Sequence, residues 1–307
     1  MARANLNFSD PFQGRRWLKY LRPDPRSGLR LLPNIDDDGR QLGFSLRSNA
    51  LGLRGPENPR AAGVISGTSF AMGFAVDNGR NWYDLAFDPT GWLNLGLPVG
   101  VKELNALLDE LYRGPEETLL FLYHPNVYTF TRNFALAQAW KRNLFEAMGW
   151  ETRLFKCIEL KARKQVRQLR GLRDGSILRF RHGDATYVLS ALYNRFDYEK
   201  EAETVAQTLA GLHAMFARFR RTLVARVWLK QELVPPQFQN ATLWATLANY
   251  EQGWELLRKR MYDLPSVTFH APAGFELSDY YPGDTHWNEA GNRKFATFVR
   301  GLLAEAE

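Results

Sequence analysis

From residue 63 onward the chain alternates between short apolar runs and longer stretches in which apolar residues recur every three or four positions. The short runs, Gly63–Ser66, Trp92–Leu95, Thr118–Tyr123, Leu223–Leu229 and Ser266–His270, have the length and make-up of buried strands. Between and after them, Val101, Leu104, Leu107, Leu108 and Leu111 share one helical face. Val205, Leu209, Leu212 and Phe216 do the same within Ala202–Arg221, and Thr242–Met261 and Gly291–Ala304 show a similar spacing. Strands alternating with helices predict an α/β fold: a three-layer sandwich with a central, mainly parallel five-stranded sheet. Functional groups of such a sheet collect at the carboxyl ends of its strands.

Two regions depart from this rhythm. Residues 1–60 are rich in Pro, Gly and Arg and include the acidic turn Asp36-Asp37-Asp38-Gly39. They read as an extended lead-in packed on the body at 61–307, because Phe12, Trp17 and Leu18 would otherwise lie exposed. From about residue 131 to 201 the pattern predicts an inserted excursion. It holds a helix over Phe134–Met148, a basic stretch, and a hairpin of Ser176–Arg181 and Ala185–Leu189 around His182-Gly183-Asp184. The sheet needs strands from both sides of this segment, so an insertion fits better than a separate domain.

Bulk composition adds exclusions. The 307 residues are 45% hydrophobic and 24% charged, enough to bury one sizeable core. No run approaches the roughly 18 apolar residues of a membrane span. The N-terminus lacks an apolar signal-peptide core, so the sequence as given is expected to be cytoplasmic, or periplasmic or membrane-associated if a leader or anchor precedes it. A single cysteine, Cys157, excludes an intramolecular disulfide, and the five histidines show no metal-ligand spacing; neither metal nor cofactor is expected. The 40 Lys and Arg outnumber the 33 Asp and Glu. The excess is concentrated between Arg153 and Arg181 and at Arg218, Arg220, Arg221 and Arg226. Such clusters suit an anionic glycan or membrane surface, or a solvated helix face. No zinc-finger, RNA-recognition or helix-turn-helix signature supports nucleic acid as the partner.

Three strand ends and one late loop carry residues suited to acyl chemistry. The first strand runs into Gly67-Thr68-Ser69-Phe70-Ala71-Met72-Gly73, which places Ser69 after a strand and ahead of an expected helix whose N-terminus favours negative charge. Alone, this pattern also fits a helix cap. The second strand ends in Asn94-Leu95-Gly96 and the third in His124-Pro125-Asn126. Backbone N–H groups of Ser69 and Gly96 with the Asn126 amide would form an oxyanion hole. After the fifth strand, Asp284-Thr285-His286 offers an imidazole base with a carboxylate to orient it. Trp287, Tyr280 and Tyr281 beside it suit either stacking on sugar rings or core packing.

As a set, these residues resemble the SGNH (GDSL-like) hydrolase superfamily, over about residues 45–304. The four blocks are matched by Ser69, Gly96, Asn126 and Asp284/His286, in order and after strands one, two, three and five. Ser48-Asn49-Ala50-Leu51-Gly52-Leu53-Arg54-Gly55 is similar to the lead-in of many bacterial members. Two departures stand out: Gly-Thr-Ser replaces Gly-Asp-Ser, and Asp-x-His replaces Asp-x-x-His. Both resemble alginate-type polysaccharide O-acetyltransferases, as does the Lys230 and Glu232 pair after the fourth strand, although some of those enzymes order the blocks differently. The resemblance implies the flavodoxin-like SGNH fold and a serine esterase or O-acyltransferase working through a Ser69 acyl-enzyme. His286 would be the base, Asp284 its orienter, and an O-acyl group, most simply acetyl, on a carbohydrate the substrate. The alternative is a catalytically weak or inactive module of the same fold that binds or assembles on an anionic glycan or membrane surface.

Overall fold

The computed structural model describes residues 20–24, 26–39, 43–129, 165–166, 169–193 and 195–305. Its central sheet is built from β1 (Gly63–Gly67), β2 (Trp92–Asn94) and β3 (Thr118–Tyr123). After a hairpin of β4 (Ile177–His182) and β5 (Ala185–Ser190) come β6 (Arg221–Arg226) and β7 (Val267–His270). All five sheet strands are parallel, in the order β7-β6-β3-β1-β2. The chain therefore starts near the middle of the sheet, builds one edge with β2, then returns to build the other. The carboxyl ends of β1 and β3 meet at the switch between these directions, where ligands of open α/β sheets bind.

The helices are α1 (Trp82–Ala86), α2 (Val101–Leu111), α3 (Ala202–Phe216), α4 (Ala241–Arg260) and α5 (Glu289–Ala304). Alternation along β3 explains the layers. Leu119, Phe121 and Tyr123 join one apolar cluster with Leu104 of α2, Leu212 of α3 and Trp254 of α4. Leu120 and Leu122 join a second cluster with Trp82 of α1 and Phe295 of α5. A strand buried on both faces reads as the continuous apolar run TLLFLY. Truncating Phe121 to alanine in such a core costs about 3–5 kcal/mol. The architecture is an α/β three-layer sandwich.

Several boundaries differ from the sequence expectation. α3 stops at Phe216 rather than Arg221, because Arg221 already pairs with Thr118 as the first residue of β6. β6 in turn ends at Arg226, and Val227–Leu229 lead off the sheet edge. The five-residue α1 is too short to show a period; its signal is the N-cap Asn81, which accepts from the Asp84 N–H at 3.1 Å.

The lead-in forms two short antiparallel ribbons, Leu21–Asp24 with Gly28–Leu31 and Asp36–Asp37 with Leu46–Arg47. Leu31, Phe44, Leu46 and Leu53 are buried in the same cluster as Val64 of β1. In the excursion, the β4–β5 hairpin packs Leu178, Phe180, Tyr187 and Leu189 against Val234, Leu243 and Leu277. Phe12, Trp17, Leu18, the expected helix over Phe134–Met148, Cys157 and the basic residues from Arg153 to Lys164 lie outside the described residues.

Residues of the second basic cluster are paired with carboxylates. Arg218 pairs with Glu116 and Asp109, Arg220 with Glu117, and Arg226 with Glu232 and Glu251. Arg226 and Glu232 form a buried pair, while the Arg220–Glu117 pair lies on the surface. Among the described residues no helix is long and apolar enough to cross a membrane, and no His, Cys, Asp or Glu group could hold a metal ion.

Candidate active site

The chain leaves β1 through Gly67, whose φ of +138° and close approach to the Leu122 carbonyl (2.8 Å from a would-be Cβ) admit only glycine. Ser69 follows, half-buried. The regular helix expected after it does not form. Residues 68–76 are a run of turns, closed by Met72 N–H to Thr68 O (3.3 Å), Gly73 N–H to Phe70 O (3.0 Å) and Phe74 N–H to Ser69 O (3.1 Å). Gly73 and Ala75, both at φ +70°, break the helical path. The helix-dipole stabilisation expected for Ser69 is thus absent.

Carbonyls that a helix would satisfy internally need donors from elsewhere. The Trp82 indole donates to Phe70 O at 2.8 Å and the Asn94 amide to Ala71 O at 3.0 Å. Buried Arg54 donates to the carbonyls of Gly73 and Val76, and the Tyr281 hydroxyl to Ala75 O at 2.9 Å. Four side chains from four distant segments hold the turn that presents Ser69.

Opposite this turn, the loop after β7 brings His286 to Ser69. Ser69 Oγ lies 2.8 Å from His286 Nε2, and His286 Nδ1 lies 2.6 Å from Asp284 Oδ1. The same carboxylate oxygen accepts the His286 backbone N–H at 2.9 Å. Side-chain exposures of 13% for His286 and 8% for Asp284 shield the pair from water. Burial alone would raise the Asp284 pKa. The His286 charge and hydrogen bonds, with a smaller contribution from Lys230, outweigh it and hold the carboxyl below its ordinary value. Asn288 then caps α5, accepting from Ala290 N–H at 2.8 Å and Gly291 N–H at 3.2 Å, which fixes the loop two residues beyond His286.

Of the three expected oxyanion donors, two are available. The Ser69 N–H has no acceptor among the described residues. The Asn126 side-chain amide makes no hydrogen bond with them, although the residue is only 6% exposed. The Gly96 N–H is already taken by Asn94 Oδ1 at 2.8 Å. Gly96 answers a packing need instead: a Cβ there would stand 2.4 Å from Met72 N, inside the Ser69 turn. The Asn94 amide joins the β2 end to the same turn.

Of the three aromatic residues suited to sugar stacking or core packing, Tyr280 is 1% exposed and donates its hydroxyl to Trp228 O at 2.6 Å. Trp287 is 2% exposed and packs against Phe70, Phe275 and Phe295. Tyr281 uses its hydroxyl on Ala75. The buried Trp287 ring leaves no open face for a ligand, whereas the Tyr281 ring stays partly exposed. Phe70 and Phe74 instead lie against the His286 imidazole, both at 4.9 Å between ring centres.

His124 is fully buried beside Phe70 at 5.1 Å. Its Nδ1 accepts the Asn126 N–H at 3.1 Å, so the neutral ring carries its proton on Nε2. Burial, and then the charge of His286, push its pKa down to about 3. Lys230, at the turn after β6, donates to the carbonyls of Tyr281, Pro282 and Asp284. In the sequence His124 stands out only as a neighbour of Asn126, and Lys230 only through its pairing with Glu232 after the fourth strand.

No protein-family model matches the chain, and no curated protein matches it. One solved structure with some likeness is a protein from Streptococcus pneumonia provisionally described as a platelet activating factor. It shares 12% identity at a TM-score of 0.43, covering 80% of this chain and 84% of that one. A likeness of that size says nothing about chemistry, which rests on the site geometry alone.

Proposed function

We propose that this chain is a serine esterase or O-acyltransferase of the SGNH type that works through an acyl-enzyme on Ser69. The observation that carries the reading is the unbroken series Ser69 Oγ, His286 Nε2, His286 Nδ1, Asp284 Oδ1, with spacings of 2.8 and 2.6 Å. A serine hydroxyl is a weak nucleophile until a neighbouring base can take its proton as it attacks. His286 takes that proton while Ser69 Oγ bonds to the ester carbonyl carbon. Asp284 keeps the imidazole in the tautomer that leaves Nε2 free to accept it. The Ser69 N–H and the Asn126 amide are the donors for the oxyanion, each worth about 3 kcal/mol to the transition state. Collapse expels the alcohol, which leaves with the proton from His286. Water or an acceptor hydroxyl, deprotonated by the same imidazole, then takes the acyl group and frees Ser69.

The proposed substrate class is an O-acyl, most simply O-acetyl, carbohydrate. Its support is the Gly67-Thr68-Ser69 and Asp284-Thr285-His286 variants, not any platform in the fold. The intact hydrogen-bonded series favours catalysis over the alternative of an inactive binding module.

Turnover of p-nitrophenyl acetate by the wild type, Ser69→Ala and His286→Ala, each checked for folding, tests the reading. Turnover lost in both variants is expected. Turnover that survives Ser69→Ala would refute it. Transfer of acetyl to glycan hydroxyls, measured beside release of free acetate, separates transferase from hydrolase.

A further inference from the structure

The acyl-transfer scheme makes no use of the buried ammonium of Lys230. The residue is 1% exposed, and its Nζ donates to Tyr281 O (2.9 Å), Pro282 O (2.9 Å) and Asp284 O (2.7 Å). A lysine ammonium has three N–H donors, and here three carbonyls take them. All three belong to the segment that leads directly into His286. Lys230 touches the backbone oxygen of Asp284, which leaves the carboxylate to face the imidazole. The Tyr187 ring of the excursion hairpin lies 5.6 Å from Nζ and helps close the site over it.

A charge buried this way is costly. Burial pushes the Lys230 ammonium down to about 8, against the opposing pull of the Asp284 charge. The acceptors that hold the group there are the carbonyls of one turn, a geometry that secures backbone shape. A misplacement of about 1 Å in such a turn is on the scale that costs an active site much of its rate.

We infer that Lys230 is a positioning residue: its three hydrogen bonds fix the Tyr281–Asp284 turn so that Asp284 meets His286 Nδ1 in line with Ser69. The inference rests on the reading of Ser69, His286 and Asp284 as a catalytic series. Lys230→Met keeps the apolar stem and removes every donor; Lys230→Gln keeps two donors on a shorter arm.

Three readouts apply to both variants: the rate of Ser69 labelling by a fluorophosphonate, kcat and KM for p-nitrophenyl acetate, and the downfield Nδ1 proton resonance of His286. That resonance is assigned with His286→Gln, and near-ultraviolet circular dichroism monitors the fold. In folded Lys230→Met, labelling and kcat should fall about 10- to 100-fold, with KM changed by less than about threefold and the resonance lost. Wild-type labelling and an unchanged resonance in a folded variant, even one with a lowered Tm, would overturn the inference. If Lys230→Met does not fold, Lys230→Gln is read by the same criteria. If wild-type Ser69 neither labels nor turns over ester, the functional reading fails, while the resonance still decides whether Lys230 positions His286.

Discussion

The hydroxyl of Tyr281 donates to the carbonyl of Ala75 at 2.9 Å, joining the loop that carries His286 to the turn that carries Ser69 across 206 residues of sequence. Ala75 sits at φ +70°, a left-handed conformation that costs a residue with a Cβ about 1–2 kcal/mol. The contact therefore holds a strained corner in place and sets the spacing of the two halves of the site. Removing it with Tyr281→Phe should lower stability by about 1 kcal/mol, read by urea unfolding. Ser69 labelling should slow by more than that loss of folded protein explains. Labelling that tracks the folded fraction alone would show that the contact supports the fold and not the site.

Asn94 and Gly96 form the second support of the Ser69 turn. Asn94→Ala leaves the Gly96 N–H and the Ala71 carbonyl buried without their partner, at about 1–3 kcal/mol for each group. Gly96→Ala forces a methyl group against Met72 N, where backbone and not a flexible side chain must give way. Thermal melts should show both variants destabilised, Gly96→Ala by about 2 kcal/mol or more. A Gly96→Ala protein with wild-type Tm and labelling would contradict the packing role assigned to this glycine.

What the sequence made legible follows from where the physics is local. The TLLFLY run of β3 and the Val101 to Leu111 stripe announce themselves because burial is continuous or periodic along the chain. Ser69, Asn126 and the Asp284/His286 pair were legible because each follows a strand at the carboxyl edge. The supports were not. Arg54, Trp82, Asn94 and Tyr281 act on the Ser69 turn through one or two hydrogen bonds each, from 12 to 206 residues away, which no local pattern encodes. The helix expected after Ser69 failed because Gly73 and Ala75 adopt positive φ, and only the tertiary donors make that path affordable. Sequence leaves Trp287 open to either sugar stacking or core packing; in the fold it packs between Phe70 and Phe295.

His124 gives the fold a defined sensitivity to acid. It stays neutral in the native state, with its pKa lowered from 6.5 to about 3 by burial and then by His286. Between those values the unfolded chain binds a proton that the native protein does not. Its contribution to stability is therefore full above about 6.5 and is lost as pH falls towards 3, by up to about 1.4 kcal/mol per pH unit. Asn at this position retains an acceptor for the Asn126 N–H without a titrating ring. Between about pH 7 and pH 4, the Tm of wild type should fall more steeply than that of His124→Asn. Parallel curves for the two proteins would place the acid sensitivity elsewhere.

The most direct test of the central claim is fluorophosphonate labelling of the folded protein, with the adduct located by peptide mass spectrometry and its rate compared in His286→Ala. The expected result is a single adduct on Ser69, formed at least about 100-fold more slowly when the imidazole is absent. A folded protein that takes no label, or takes it on another serine, would contradict the assignment of Ser69 as a nucleophile activated by His286.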